Sequence, residues 1–315
     1  MTRRGWALFL ALGVIWGLPY LLIRVSVREV SPAFLVFVRT AGGALLLAPF
    51  TVRRGTLQPL LAHWKALLAF TVAEVGIPWW LLFSAEKKVS SSLSGLLVAA
   101  VPIAGAVLAR ASGTDRLDGR RVAGLALGLL GAGALVGFDV GRSSLLAASS
   151  FIVVVTGYAL GPWLLARYLA ALPSRSVILA SLVIAAIVYA PLAAIQRPRH
   201  PLSATVVLSM AGLTAICTSL AFTLLFALVR EVGPMRATVI TYLNPAVAVL
   251  LGVVVLGESF GFATGVGFMA VLGGSFLATR PLRPSRAGSL APGQAGLAAA
   301  AAAPSMVVQA PVEPV

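Results

Sequence analysis

The sequence contains an internal duplication. When the chain is shifted by 143 residues, Pro19 falls on Pro162 and Arg24 falls on Arg167. The same offset holds along the rest of the two copies and relates Leu81–Phe83 to Leu224–Phe226, Val89 to Val232, Pro102 to Pro245, Asp115 to Glu258 and Gly124 to Gly267. One structural unit is therefore used twice, and the fold must accommodate two copies of it.

The composition indicates that both copies lie in a membrane. Hydrophobic residues make up 59% of the chain and charged residues only 10%, whereas soluble domains carry about 25% charged residues. Each copy contains five apolar runs of roughly the length that crosses a hydrocarbon core of about 30 Å. The predicted spans are 6–23, 32–52, 64–85, 93–109 and 121–138, then 145–166, 177–195, 204–228, 235–256 and 260–279.

An odd number of spans in each copy predicts that the second copy is inverted in the membrane relative to the first. The predicted fold is therefore an all-α integral membrane protein with ten transmembrane helices in two inverted five-helix repeats. The first repeat covers residues 1–141 and the second covers 142–280. Residues 281–315 are rich in Ala, Pro and Gly, and we expect them to form a disordered cytoplasmic tail.

The basic residues predict the orientation of the chain. Most of the 24 Lys and Arg fall in loops that lie on one side of a ten-helix bundle, and basic loops stay in the cytoplasm, so both termini are expected there. A net charge of +15 does not indicate nucleic acid as a partner, because no basic face interleaved with aromatic residues exists. Cys217 is the single cysteine, which excludes an intrachain disulfide and a thiolate metal site. We expect neither metal nor cofactor, and nothing specifies an oligomeric state.

Two charged residues fall inside predicted spans. Glu74 lies about midway along the third span, where a charge costs about 2.5–3.5 kcal/mol on insertion scales. Glu74 is interpreted either as a substrate or proton site or as a structural carboxyl that is hydrogen-bonded within the bundle. Arg39 is its natural partner if the second and third spans pack together; alternatively its guanidinium reaches the outer interface or backbone carbonyls.

Prolines inside the spans free backbone carbonyls, and a kinked helix can line a cavity. Polar aromatic and amide side chains near them are candidates for a substrate pathway, although tryptophans and tyrosines also form interfacial belts. The predicted helix breaks are Pro19, Pro78, Pro102, Pro162 and Pro245, and the predicted pathway residues besides Glu74 and Arg39 are Trp16, Tyr20, Trp79, Tyr158, Tyr242 and Asn244.

Small residues spaced four apart predict close helix packing in the fifth and tenth spans. Glu258, directly before the tenth span, is interpreted as a charge on the N-terminal dipole of that helix. The glycines predicted to pack are Gly124 and Gly128 in the fifth span, and Gly257, Gly261 and Gly265 at the tenth.

One loop favours an alternative from another functional class. Asp115, Asp118 and Gly119, in the order D-R-L-D-G, resemble the opening of the metal-binding motif of membrane CDP-alcohol phosphatidyltransferases. The rest of that motif is missing, so a divalent metal would have too few oxygen ligands. The alternative to a carrier is a non-transporting membrane protein, either a metal-dependent lipid-phosphate enzyme at this loop or a lipid-handling scaffold.

Several short motifs, in this order, resemble those of the EamA-type proteins of the drug/metabolite transporter superfamily. They are Trp16-Gly17, Ser31-Pro32 with Arg39, A-L-L-L-A-P ending at Pro49, S-S-S-L-S-G-L-L-V-A-A-V-P ending at Pro102, A-T-V-I-T-Y-L-N-P ending at Pro245, and Leu256-Gly257-Glu258. The resemblance covers residues 6–280. It does not extend to Glu74, which does not look like a residue that the whole family shares.

This resemblance implies a ten-helix inverted-repeat carrier of the bacterial inner membrane, often an exporter of amino acids or other small metabolites. It also implies a central pathway lined by the first, third, fourth, sixth, eighth and ninth helices, which carry most of the candidate residues above. The sequence hypothesis is therefore a secondary transporter that works by alternating access, with a small-molecule substrate, the bilayer as its surroundings and proton exchange at Glu74 as the driving step.

Overall fold

A computed structural model describes residues 2–52, 57–113, 119–139, 142–232, 240 and 243–279. The described residues are all-helical, without strands. A short helix, Leu57–Ala62, precedes the third of the longer helices. These longer helices are α1 (Arg3–Ser26), α2 (Pro32–Thr51), α3 (Trp64–Ala85), α4 (Ser91–Ala111), α5 (Gly119–Asp139), α6 (Arg142–Tyr168), α7 (Ser174–Ile195), α8 (Ala204–Val232), α9 (Leu243–Leu256) and α10 (Phe262–Thr279).

A helix lies at each predicted apolar run, and the described part of the ninth begins at Leu243. Within the described residues, seven helices (α1–α4 and α6–α8) are long and apolar enough to cross a membrane. Shorter apolar helices lie at 243–256 and 264–277. The predicted tail 281–315, Tyr242, Asp115 and Asp118 lie outside the described residues.

Serine hydroxyls cap the N-termini of several helices. Ser31, Ser90 and Ser203 each accept a hydrogen bond from the backbone N–H three residues later, at the start of α2, α4 and α8. Such caps satisfy N–H groups that have no partner within the helix. The link after α9 turns at Gly257, whose φ of 66° favours a residue without a Cβ.

In the part of the chain that the structure describes, three helices are interrupted. α3 contains a π-helical turn at Val72–Gly76, and α8 contains one at Ala215–Leu220. The two π-turns begin 143 residues apart, which is the offset of the sequence duplication. α4 is interrupted at 99–100, between Ser91–Val98 and Val101–Ala111.

The predicted proline breaks divide into two groups. Pro78 follows the π-turn of α3, Pro102 follows the interruption of α4, and Pro245 lies in the first turn of α9. In contrast, α1 runs through Pro19 and α6 runs through Pro162 as continuous helices, so these two residues are not breaks. A proline removes one hydrogen bond, and the turns on both sides of it still hold the helix.

Helices of the first copy pack against helices of the second copy in equivalent pairs. α2 packs on α7, α4 on α9, and α5 on α10. The contacts of α1 with α8 and α9 have counterparts in the contacts of α6 with α3 and α4. The contact of α2 with α8 likewise has a counterpart in that of α7 with α3. Exchanging the copies therefore maps these helix pairs onto one another.

Glycines permit the close contact between α5 and α10, although only some of the glycines predicted to pack lie at it. A Cβ at Gly274 would overlap the backbone of Gly128 and the carbonyl of Gly124, so these two predicted glycines do lie at a close helix contact. A Cβ at Gly257 or Gly261 would meet nothing within 4 Å among the described residues, and one at Gly265 would meet only the Phe260 ring. This end of α10 is therefore not packed as predicted, because the close approach occurs further along the helix.

Candidate functional site

Arg39 projects from α2 into the interior of the bundle, where it is 7% exposed. Its Nε donates to the Thr218 hydroxyl (2.9 Å), and Thr218 in turn donates to the Leu213 carbonyl (2.9 Å). That carbonyl lies five residues before Thr218, a spacing produced by the π-turn of α8. The interruption in the second copy thus positions the hydroxyl that holds the arginine of the first copy.

Aromatic side chains surround the guanidinium. Its Cζ lies 3.8 Å from the centroid of the Trp79 ring, a favourable cation–π distance, and 5.9 Å from that of Phe83. The Trp79 indole hydrogen-bonds to the Tyr158 hydroxyl. Tyr158 and Tyr20 both interact electrostatically with Arg39. We call this group, Tyr20, Arg39, Trp79, Tyr158 and Thr218, the arginine cluster.

Glu74 lies in the π-turn of α3, beside the arginine cluster. Its Oε2 is buried and has no hydrogen-bond partner among the described residues. The carboxyl packs against Gly161 of α6, where a Cβ would overlap it, and Tyr158 on the same helix is within its electrostatic range. The predicted pair of Arg39 and Glu74 is not formed among the described residues: Arg39 bonds to Thr218 through its Nε, and Glu74 Oε2 has no partner.

The second copy supplies the surroundings of this turn. Gly157 of α6 approaches the Ala73 carbonyl and the Pro78 ring so closely that a Cβ would overlap both. From α7, the Tyr189 hydroxyl donates to the Gly76 carbonyl (3.0 Å). The glycine pair of α6 therefore admits the widened turn of α3, and the tyrosine hydroxyl ties the last residue of the turn to α7.

The other predicted pathway residues lie elsewhere. Trp16 packs against an apolar cluster of Leu12, Ala221, Leu228 and Ile240 rather than against Arg39. With its amide nitrogen oriented toward them, Asn244 donates to the carbonyls of Ile240 (3.0 Å) and Gly13 (3.2 Å), so it ties α9 to α1. Tyr242 lies outside the described residues.

Carboxylates cap helices across the two copies at the end of the bundle where α3 ends and α4 begins. Glu258 accepts bonds from the backbone N–H groups of Ser91 (2.7 Å) and Ser92 (2.9 Å) and from the Ser92 hydroxyl (2.6 Å). Burial opposes ionisation of Glu258, but the bonds from Ser92 and Ser91 outweigh it and hold its pKa below the ordinary value. Glu258 therefore caps α4 and not α10, which corrects the sequence interpretation.

A second cap of the same kind joins α1–α2 to α8. Glu29 accepts bonds from the backbone N–H of Ser203 (2.8 Å) and from its hydroxyl (2.6 Å). These bonds lower the pKa of the exposed Glu29 carboxyl. In both caps, a carboxylate of one copy neutralises the N-terminus of a helix in the other copy.

Sequence reasoning missed Glu86, the residue that follows α3. Glu86 is fully buried, and neither carboxyl oxygen has a hydrogen-bond partner among the described residues. The residue directly follows the predicted third span, 64–85, and precedes Lys87 and Lys88, a position typical of a hydrated loop. One signal was present: its counterpart at the repeat offset is Val229, an apolar residue.

The described residues offer no group of three or more His, Cys, Asp or Glu side chains that could hold a metal ion. Instead, apolar helices surround a buried set of ionisable and aromatic side chains, an arrangement typical of membrane transporters. The chain belongs to the EamA-like transporter family, whose sequence model matches residues 3–137 and again residues 145–280. It is therefore a membrane protein of the drug/metabolite transporter type.

Individual relatives agree with this family. The chain is 30% identical over 269 residues to the uncharacterized inner membrane transporter YedA of Escherichia coli strain K12, a match that covers 80% of this chain and 83% of that protein. YedA of Escherichia coli O157:H7 matches with the same figures. A solved structure described only as a crystal structure of protein has a TM-score of 0.62 and 19% identity, and covers 89% of this chain and 97% of that chain. At this identity the likeness concerns the fold alone.

Proposed function

We propose that this protein is a secondary transporter that exports small metabolites, such as amino acids or related compounds, by alternating access in the bacterial inner membrane. Residues 1–141 and 142–280 form two inverted five-helix repeats, both termini face the cytoplasm, and residues 281–315 are a cytoplasmic tail. Proton exchange at Glu74 drives the cycle.

The relation between the copies supports the repeat. The helix pairs map onto one another when the copies are exchanged, the π-turns obey the sequence offset, and the family model matches each copy separately. Two copies that pack through equivalent pairs can rock against each other about a site at their interface. The arginine cluster occupies such a position, because α1, α2 and α3 supply three of its residues and α6 and α8 supply the others.

The arginine cluster is suited to a small polar substrate with an apolar part. Arg39 uses its Nε for Thr218, which leaves its remaining N–H groups for a carboxylate or carbonyl of the substrate. Trp79 and the two tyrosines offer ring surface to an apolar group, and the tyrosine hydroxyls offer further hydrogen bonds.

The proton step depends on one observation, the carboxyl of Glu74 whose Oε2 is buried without a partner. A buried carboxylate without a compensating donor or cation is costly, and a proton removes that charge. Glu74 must be neutral in the orientation in which it is buried, and it is hydrated and ionised in the other orientation. Each transport cycle therefore binds and releases one proton at Glu74, which couples proton movement to substrate movement. Protons that enter down their gradient would then drive the substrate outward.

The experiment is transport by the purified full chain in proteoliposomes, screened with radiolabelled amino acids, amines and other small metabolites, with and without an imposed pH gradient. For any transported substrate, we expect Glu74→Gln to abolish the response to the gradient, with uptake reduced at least about tenfold. The matched control is Glu231→Gln, because Glu231 accepts a bond from the exposed Thr2 hydroxyl, away from the arginine cluster. A Glu74→Gln protein that responds to the gradient as the wild type does would remove the proton step.

A second variant displaces the Glu74 carboxyl without removing it. In Gly161→Ala, the added Cβ overlaps the Glu74 carboxyl and forces that side chain to rotate. We expect a weaker response of transport to the pH gradient in a protein that still folds. The control is Gly105→Ala, where a Cβ would meet nothing within 4 Å. Equal transport by the two variants would show that the position of Glu74 is unimportant.

The family favours a transporter over an enzyme, and we infer no catalytic activity. We expect substitution of both Asp115 and Asp118 by Asn to leave transport unchanged. Loss of transport together with loss of a lipid-phosphate activity would favour the enzyme alternative.

A further inference from the structure

Glu86 is separate from the Glu74 site. The two residues are 12 positions apart along the chain, or about 18 Å at 1.5 Å per residue. Glu74 lies about midway along α3, whereas Glu86 directly follows the last residue of that helix. Under the proposed orientation, Glu86 lies at the outer end of the bundle. Nothing in the proposed cycle uses it.

Several charged or titratable groups face Glu86, and none of them bonds to its carboxyl. Arg24 of α1 donates to the backbone carbonyl of Glu86 rather than to its carboxyl oxygens. Burial raises the pKa of the Glu86 carboxyl well above its ordinary value and the carboxylate of Glu258 adds to this shift, whereas Arg24, Ser94 and Arg39 oppose it. Lys87 and Lys88, which directly follow Glu86, are exposed. The groups that face Glu86 are Arg24 and Tyr20 from α1, Arg39 from α2, Tyr158 from α6 and Glu258 from the α9–α10 link.

Ser94 of α4 is the neighbouring hydroxyl, and its own hydrogen is used elsewhere. It donates to the Ser90 carbonyl (3.0 Å), one turn earlier in the chain. A bond from the Ser94 hydroxyl to Glu86 would lower the pKa of that carboxyl, but the opposite effect of burial is larger. Burial, and not the local hydrogen bonding, therefore favours the protonated form of Glu86.

We propose that Glu86 is a second proton-binding site, at the outer end of the transporter, which holds a proton while Glu258 caps α4 and releases it when that cap opens. The proposal rests on the proposed function for the orientation and for the opening of the outer end. Glu258 is held in its ionised form by three donors, so the neighbouring Glu86 is the carboxyl that takes the proton.

The proposal predicts how pH acts on the outer end. In the closed form the pKa of Glu86 is raised, and in an open, hydrated form it returns to its ordinary value of about 4.3. The proton therefore stabilises closure fully below about pH 4.3, and this stabilisation is lost as pH rises through the raised value. By reciprocity, closure increases the proton affinity of Glu86.

The experiment measures closure directly. Two spin labels are placed at the exposed positions Lys87→Cys and Ser259→Cys, in the full chain with Cys217→Ala, and the distance between them is measured by double electron–electron resonance from pH 5 to pH 9. We expect the short-distance population to fall at least about threefold as pH rises. Glu86→Gln, which mimics the protonated form, should keep the short distance at every pH, whereas Glu231→Gln should respond as the parent does.

Infrared spectroscopy provides the second measurement. The protonated carboxyl signal that Glu86 contributes at pH 7 should be lost in Glu86→Gln and retained in Glu74→Gln. A distance distribution independent of pH in the parent, a pH response retained in Glu86→Gln, or an infrared band unaffected by that substitution would overturn the proposal. Failure of the proposed function gives a different result, in which no substrate is transported although the outer end still responds to pH through Glu86.

Discussion

The two π-turns occupy equivalent positions in the two copies and are stabilised in different ways. In α8, the hydroxyls of Thr218 and Ser219 donate to the Leu213 and Thr214 carbonyls, so the turn satisfies its own backbone. In α3, the equivalent positions are Val75 and Gly76, which have no hydroxyl to offer. That turn instead depends on Tyr189 and on the close approach of Gly157, both from the second copy.

The residue at the third position of each turn differs as well. Glu74 in the first copy is equivalent to Cys217 in the second. Cys217 is a buried, small residue beside Arg39, whereas Glu74 is ionisable and has an oxygen without a partner. The duplication therefore preserved the backbone of the turn and divided its roles: the second turn holds the arginine, and the first carries the carboxyl.

The largest effect is expected where the first turn meets the second copy. In Gly157→Ala, the new Cβ overlaps the backbone carbonyl of Ala73 as well as the Pro78 ring, and a backbone cannot rotate away. We expect the free energy of unfolding to fall by about 1–3 kcal/mol, measured by thermal unfolding in detergent. Gly133→Ala, where a Cβ would meet nothing within 4 Å, is the control and should not destabilise the protein. Equal stability of the two variants would contradict the dependence on α6.

The second turn should be most sensitive at Thr218. Thr218→Val removes the bond to the Leu213 carbonyl and leaves Nε of the buried Arg39 without its acceptor. We expect a loss of about 1–3 kcal/mol in the free energy of unfolding, together with weaker substrate binding. Thr223→Val is the control, because the Thr223 hydroxyl donates to the Ser219 carbonyl within the same helix. Equal losses in both variants would show that the bond to Arg39 contributes nothing.

A smaller effect is expected from Tyr189→Phe. This change removes the single donor that α7 provides to the Gly76 carbonyl and retains the ring. The expected loss is about 0.5–1.5 kcal/mol in the free energy of unfolding. Tyr168→Phe, at a half-exposed tyrosine, serves as the reference. If both variants unfold at the parent temperature, the turn of α3 does not depend on Tyr189.

The smallest effect is expected at Cys217, the counterpart of Glu74. Cys217→Ala removes one buried sulfur atom and should cost about 1 kcal/mol or less. Transport and its response to a pH gradient should be unchanged. A loss of gradient coupling comparable to that in Glu74→Gln would show that the two turns share the proton step, contrary to the division of roles.

The helices were predictable because hydropathy reports them directly. The second span, predicted as 32–52, is Pro32–Thr51, and the third, predicted as 64–85, is Trp64–Ala85. The π-turns were not predicted, because one extra residue in a turn scarcely alters an apolar run. The duplication predicts the position of one π-turn only once the position of the other is known.

Four of the five residues of the arginine cluster are among the pathway candidates named from the sequence. Arg39, Trp79, Tyr20 and Tyr158 do lie together, since polar groups in an apolar bundle collect where they can pair. Thr218 was missed because hydroxyls are common in such helices and usually bond to their own backbone. The partner of Arg39 could not be read from depth estimates, because the angular positions of side chains depend on helix packing.

The interruption of α4 is linked to a helix outside the arginine cluster. The buried Ser275 of α10 donates to the Ala99 carbonyl (2.9 Å), at the point where α4 loses its regular hydrogen bonds. α10 is therefore hydrogen-bonded to this interruption, and we expect a change in the tilt of α10 to displace the segment that carries Pro102. Bilayer thickness and lipid composition, which influence helix tilt, would in this way affect the proposed transport site without any lipid binding there.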